Sequence, residues 1–80
     1  MIKIKTVSYQ QDNVLVEVEY DLESELYSFN VSAKQSQIAK MSVQDVRDYI
    51  IGRVMVERTT KLRVIVEDLL SNLIDVDLEE

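Results

Sequence analysis

The chain contains no cysteine, no histidine and no proline, and Gly52 is the only glycine among its 80 residues. Without cysteine it can form neither a disulfide nor a thiolate metal site, and histidine, the commonest transition-metal ligand, is also missing. Catalytic arrangements that pair Ser or Cys with His are excluded within one chain. A phosphate-binding loop needs several glycines, so the P-loop route of nucleotide hydrolysis is excluded as well.

Long apolar stretches are also missing, since no stretch approaches the roughly 18 uninterrupted apolar residues of a membrane span. Residues 1–5 alternate apolar with basic side chains, whereas a signal peptide places a basic stretch before an apolar run. The lack of cysteine is compatible with a reducing compartment. We therefore expect no membrane association, and the sequence favours a cytoplasmic location.

Positive charge is scarce, because the chain has fifteen acidic and only nine basic residues, which gives a net charge of −6. Such a chain repels duplex DNA and anionic lipid, so direct nucleic-acid binding is not expected. An 80-residue scaffold also offers little concave cleft in which to hold a substrate. We predict a non-catalytic protein without a cofactor.

The C-terminal tail, residues 76–80, clusters carboxylates with Asp75 just before it, and oxygen ligands of this kind attract hard cations. There is no turn-forming glycine and no second set of ligands at the spacing of a calcium-binding loop. We predict a solvated acidic tail and no metal site.

The length predicts one domain over residues 1–80. A domain of this size buries only about 60% of the surface that its unfolded chain exposes, so its core is thin. Disulfides and thiolate metals are excluded, which leaves oligomerisation as the usual remaining source of stability.

Residues 1–33 follow the period-two apolar pattern of β-strands. Ile2 and Ile4 are even-numbered, whereas Val7 and Tyr9 are odd-numbered, which predicts a bulge near residues 5–6. Turn-forming residues at 10–13 and 21–24 separate this strand from two further alternating segments. The simplest arrangement is a three-stranded antiparallel β-meander.

Residues 42–75 follow the helical period instead. Ser42 followed by Asp45 resembles a capping box, with Asp in place of the usual Glu or Gln. Three interpretations of residues 52–66 remain open: a continuous helix, a helical hairpin broken at Thr59-Thr60, or a β-hairpin. We favour helix throughout, and the predicted class is α+β, a meander followed by a long C-terminal helix or helical hairpin.

The helical region is apolar on more sides than one sheet face needs to cover. The first functional hypothesis is therefore an assembly or adaptor module that forms a dimer or higher homo-oligomer through this region. Its predicted interface residues are Ile50, Ile51, Val54, Met55, Leu62, Val66 and Leu70.

A run of acids at odd positions supports a second hypothesis. If the segment stays extended, these side chains repeat about every 6.6 Å along one face, a spacing that resembles the phosphates of DNA. The chain would then be an acidic inhibitor that occupies the basic site of another protein. The predicted partner face is Glu17, Glu19, Asp21, Glu23 and Glu25.

Overall fold

The computed structural model describes residues 1–79, which form three β-strands followed by two α-helices. The elements are β1 (Ile2–Gln10), β2 (Asn13–Leu22), β3 (Glu25–Lys34), α1 (Gln35–Ile38) and α2 (Val43–Ser71). The sheet has the antiparallel order β1-β2-β3, which confirms the predicted meander and long C-terminal helix. The one-turn helix α1 is an element that the sequence pattern does not predict.

The predicted bulge lies in β1, where the register with β2 shifts between Ile4 and Thr6. Lys5 is the extra residue, and it changes the parity of the apolar positions along the strand. Ile4 lies opposite Val18 and Val7 lies opposite Val16, so both face the same side of the sheet. The bulge thereby keeps one apolar face continuous along β1.

The turn between β2 and β3 is shorter than the predicted segment 21–24. Asp21 and Leu22 still pair with β3, and only Glu23 and Ser24 form the loop. Both have positive φ, 51° and 67°, as in the two-residue hairpin turn whose twist matches that of the strands. The hairpin therefore reverses the chain in the middle of the acidic run.

The long helix α2 begins with the predicted capping box. The Ser42 hydroxyl accepts the Asp45 backbone N–H at 3.1 Å, and the Asp45 carboxylate accepts the Ser42 N–H at 3.3 Å. The helix is continuous to Ser71, so the helical-hairpin and β-hairpin alternatives for residues 52–66 are wrong. Thr59 does not cap a second helix, because its hydroxyl donates to the Met55 carbonyl one turn earlier. The helix also ends four residues before the predicted limit of residue 75.

Helix α2 covers the apolar face of the sheet over β2 and β3. Within residues 1–79, the core cluster consists of Val18, Tyr20, Val31, Ile50 and Val54, all buried. Burial of this kind stabilises a chain by about 25 cal/mol for each Å² of apolar surface removed from water. The core is as thin as the chain length predicts.

The molecule is elongated because α2 continues beyond the sheet. Its 29 residues span about 43 Å, whereas the 10 residues of β2 span about 33 Å. The radius of gyration is 17.4 Å, against about 12 Å for a compact domain of this length. No helix in the described part of the chain is long and apolar enough to cross a membrane.

The burial of Val54 predicts the effect of shortening it. Val54→Ala removes two methyl groups from a fully buried site, and we expect a loss of about 2 kcal/mol in the free energy of unfolding. Val43→Ala is the matched control, because Val43 is 81% exposed on the same helix; its effect should stay within about 0.5 kcal/mol. Urea denaturation at one protein concentration measures both, and equal losses would contradict the assigned core.

Candidate interaction surface

A row of exposed apolar side chains follows one side of α2. At about 100° per residue, its helical members lie within about 60° of arc. Leu73, in the turn after the helix, extends the row, and its N–H donates to the Leu70 carbonyl. Exposure ranges from 40% at Leu62 to 63% at Leu69. We call this row the α2 stripe: Ile51, Met55, Leu62, Val66, Leu69 and Leu73.

The structure divides the seven predicted interface residues between this surface and the core. Ile50 and Val54 are buried against the sheet of their own chain, which removes them from the surface available to a partner. Leu70 is exposed about 40° beyond the edge of the stripe. The other four predicted residues are stripe members. Leu69 and Leu73 are missing from the predicted interface, although each lies three residues after a predicted member, Leu69 after Val66 and Leu73 after Leu70.

The orientation of α2 about its own axis is fixed by contacts near the middle of the helix. Arg58 donates to Asp21 twice, from Nε to the backbone carbonyl at 3.0 Å and from its terminal nitrogen to Oδ1 at 2.8 Å. One turn later the Lys61 ammonium lies 4.8 Å from the centre of the Tyr27 ring, a cation–π contact. Together with the packing of Ile50 and Val54 on the sheet, these contacts orient the α2 stripe.

Asp21 is the most strongly paired carboxylate of the described residues. Its Oδ1 also accepts the Met1 ammonium at 2.6 Å. That hydrogen bond is the largest cause that lowers the pKa of Asp21 below its ordinary 3.8, and the positive charge of Arg58 adds to it. The carboxylate is therefore ionised at neutral pH, which keeps Arg58 in place.

Two tyrosines next to this contact have raised pKa values. Burial is the main cause for Tyr20, with the Glu57 carboxylate adding to it, and the hydrogen bond to Glu25 is the main cause for Tyr27. Both pKa values move up from 10.0, and that of Asp21 moves down, so all three move away from neutral pH.

A groove runs between β1 and the β1-facing side of α2. It encloses about 470 Å³, and we call it the β1–α2 groove. Arg47 lies at its rim, and Ile51, the first residue of the α2 stripe, lines it, so the groove and the stripe are continuous. Its lining is Met1, Ile2, Ile4, Val46, Arg47, Ile50, Ile51 and Arg58.

A second hollow, of about 350 Å³, lies where the start of α2 faces the sheet. Its lining is almost entirely apolar and includes Ile4, Val7 and Tyr9 of β1. Both cavities exist because α2 covers β2 and β3 but leaves the apolar side chains of β1 largely exposed.

The predicted acidic face does not form one continuous row. Glu17 and Glu19 lie on the face of β2 opposite to the core, where Thr6 donates to Glu17 at 3.3 Å and Lys3 is the register partner of Glu19. Asp21 is engaged by Arg58. Glu23 and Glu25 lie in the hairpin loop and at the start of β3, beyond the reversal of the chain. The structure therefore brings together two of the five acids.

The acidic tail holds no metal-binding cluster in the part that the structure describes, because no three carboxylates of residues 1–79 lie close enough to share an ion. Within it, the Glu79 N–H donates to Asp77 Oδ1 at 2.9 Å. Glu80, the last residue of the predicted tail, lies outside the described residues.

Comparison with known proteins adds no relative to this picture. Neither protein-family models, nor curated protein sequences, nor solved structures give a match to the chain.

The lowered pKa of Asp21 predicts how stability depends on pH. Because the pKa is lower in the folded state, Asp21 stabilises the fold above pH 3.8, and this contribution disappears as the pH falls through the folded-state pKa. Wild type should be more stable than Asp21→Asn at pH 6, and the difference should shrink toward zero in acid. Salt should also reduce it, because Asp21 is half-exposed. Denaturation between pH 2 and 7, with Asp12→Asn as the control, measures the effect; a difference that grows in acid would contradict it.

Proposed function

We propose that this chain is a non-catalytic assembly module that self-associates through its C-terminal helical region. The α2 stripe carries the proposal, because it exposes six large apolar side chains on one side of the chain's long helical region, interrupted only at the turn that contains Arg58 and Thr59. Large exposed apolar surfaces mark interaction sites in soluble proteins. A cytoplasmic location stays a prediction from the sequence.

The total exposed surface supports the same conclusion. The chain exposes 6402 Å², whereas a compact monomer of 9.3 kDa exposes about 5,000 Å². The excess of roughly 1,400 Å² is larger than the 800 Å² or so that each partner buries in a standard interface. A second copy would supply the cover that this short chain lacks.

A charge placed within the α2 stripe should prevent self-association. Met55→Glu forces a carboxylate into the proposed interface, where it must lose water without a partner, and we expect the dissociation constant to rise at least about 100-fold. Thr60→Glu is the matched control, because Thr60 is exposed on the opposite side of α2 and should leave association unchanged. Light scattering gives the mass, and a wild type of single-chain mass at all concentrations tested would contradict the proposal.

The acidic-inhibitor hypothesis is the alternative, supported by Glu17 and Glu19 on the open face of β2. It predicts that the immobilised chain retains a basic protein from a lysate of its native host at low salt and releases it at high salt. Combined replacement of Glu17, Glu19 and Glu25 by Gln should abolish that retention.

A variant with the same net charge controls for non-specific attraction. It replaces three acids of α2, Asp48, Glu67 and Asp68, by their amides, and it should retain the basic protein as the wild type does. Equal retention by all three proteins would count against the inhibitor hypothesis.

A further inference from the structure

Two exposed surfaces lie on the same side of α2 and are joined to each other. One is the projecting half of the α2 stripe, which includes Leu62, Val66 and Leu69 and has no sheet beneath it. The other is the β1–α2 groove, which begins at Ile51. A second helix that lies along the stripe therefore reaches the groove.

We propose that the β1–α2 groove receives the projecting half of α2 from a second copy of this chain, with the two helices antiparallel. This inference rests on the proposed function and specifies which surfaces meet. Each copy then fills the groove of the other, as an interface with two-fold symmetry requires.

The positions of the stripe residues determine the register. Ile51 and Leu73 are its ends, and Leu62 lies midway between them. A two-fold axis at Leu62 sets Leu62 against its own counterpart, Met55 opposite Leu69 of the second copy, and Ile51 opposite Leu73. Full overlap of the two stripes buries all of these side chains.

The uncovered part of the sheet lies where the second helix would run. Ile4 lines the groove and is 52% exposed, because α2 of its own chain passes over β2 and β3. A neighbouring helix at the usual distance of about 8 to 10 Å from α2 would lie above β1. It would therefore cover Ile4 together with the stripe.

Charge distinguishes the antiparallel from the parallel arrangement. Arg47 is at the groove rim, and among the described residues no carboxylate forms an ion pair with it. In the antiparallel arrangement the segment after α2 of the second copy, which contains Asp75 and Asp77, reaches this end of the helix. In the parallel arrangement Arg47 would face its own counterpart, and like charges at that position repel.

Single introduced cysteines test this geometry. The natural chain has no cysteine, so every disulfide that forms involves the introduced residue. A disulfide needs Cα atoms within about 7 Å, so Leu62→Cys should form dimers by itself under mild oxidation. Met55→Cys and Leu69→Cys should not, because equivalent residues would lie about 21 Å apart along the axis. Equimolar mixing of these two variants should give at least about fivefold more disulfide-linked dimer than either alone.

The outcomes separate this inference from the proposed function. A wild type that stays monomeric by light scattering overturns both. A dimeric wild type whose Met55→Cys variant links efficiently to itself indicates parallel helices and overturns the antiparallel pairing alone. A dimeric wild type in which none of these cysteines links, or in which Thr60→Cys on the polar side links equally well, also overturns the pairing alone.

Charge reversal gives an independent measurement that adds no thiol. Arg47→Glu should raise the dissociation constant of the dimer about tenfold, since two symmetric pairs change from attraction to repulsion. Addition of Asp75→Lys and Asp77→Lys to the same chain should restore most of the lost dimer affinity. Unchanged affinity in Arg47→Glu, or no recovery in the triple variant, contradicts the placement of the tail beside Arg47.

Discussion

The contact of Ile50 and Val54 with Val18, Tyr20 and Val31 is the interaction on which the rest of the structure depends. A sheet with one apolar face must be covered, and here one helix does so. An α-helix with its side chains is about 10 to 12 Å across, whereas three strands occupy roughly 14 Å. One helix therefore leaves an edge strand exposed. Because α2 lies over β2 and β3, the exposed strand is β1. The two cavities lie between this strand and α2.

The α2 stripe arises from the same sequence pattern that builds the core. Apolar residues recur every four positions along α2, from Val46 through Ile50, Val54, Leu62 and Val66. In a helix with about 100° per residue, each step of four turns the row by about 40°. Residues that face the sheet near Ile50 have thus turned some 120° away from it by Leu62. Arg58, the one polar member of this row, donates to Asp21 at the point where the row leaves the sheet.

Much of this fold was predictable, because local chemistry decides it. The parity change between Ile4 and Val7 predicts the bulge, and Ser42 with Asp45 predicts the start of α2. The hairpin loop is less visible in the sequence, since Glu23 and Ser24 adopt positive φ without the glycine or asparagine that usually marks such a turn. Because the chain reverses at this loop, the five acids do not form one extended row. Sequence spacing also cannot separate Ile50 and Val54 from Ile51 and Met55, because that division depends on which side of α2 packs on the sheet.

The other side of α2 bears on the size of the proposed assembly. It carries the exposed apolar residue Val56 among polar residues, and Arg63 and Glu67 are paired there at 2.9 Å one turn apart. The polar residues are Arg53, Thr60, Arg63, Glu67 and Ser71. A mostly polar surface of this kind keeps its water, so the proposed association would use the side of α2 that carries the stripe. When a single surface binds its own copy about a two-fold axis, both copies of that surface are buried in the dimer. No copy stays exposed to bind a third chain. A narrow stripe therefore fits a closed dimer, and in the proposed dimer the thin core of each chain would couple folding stability to association.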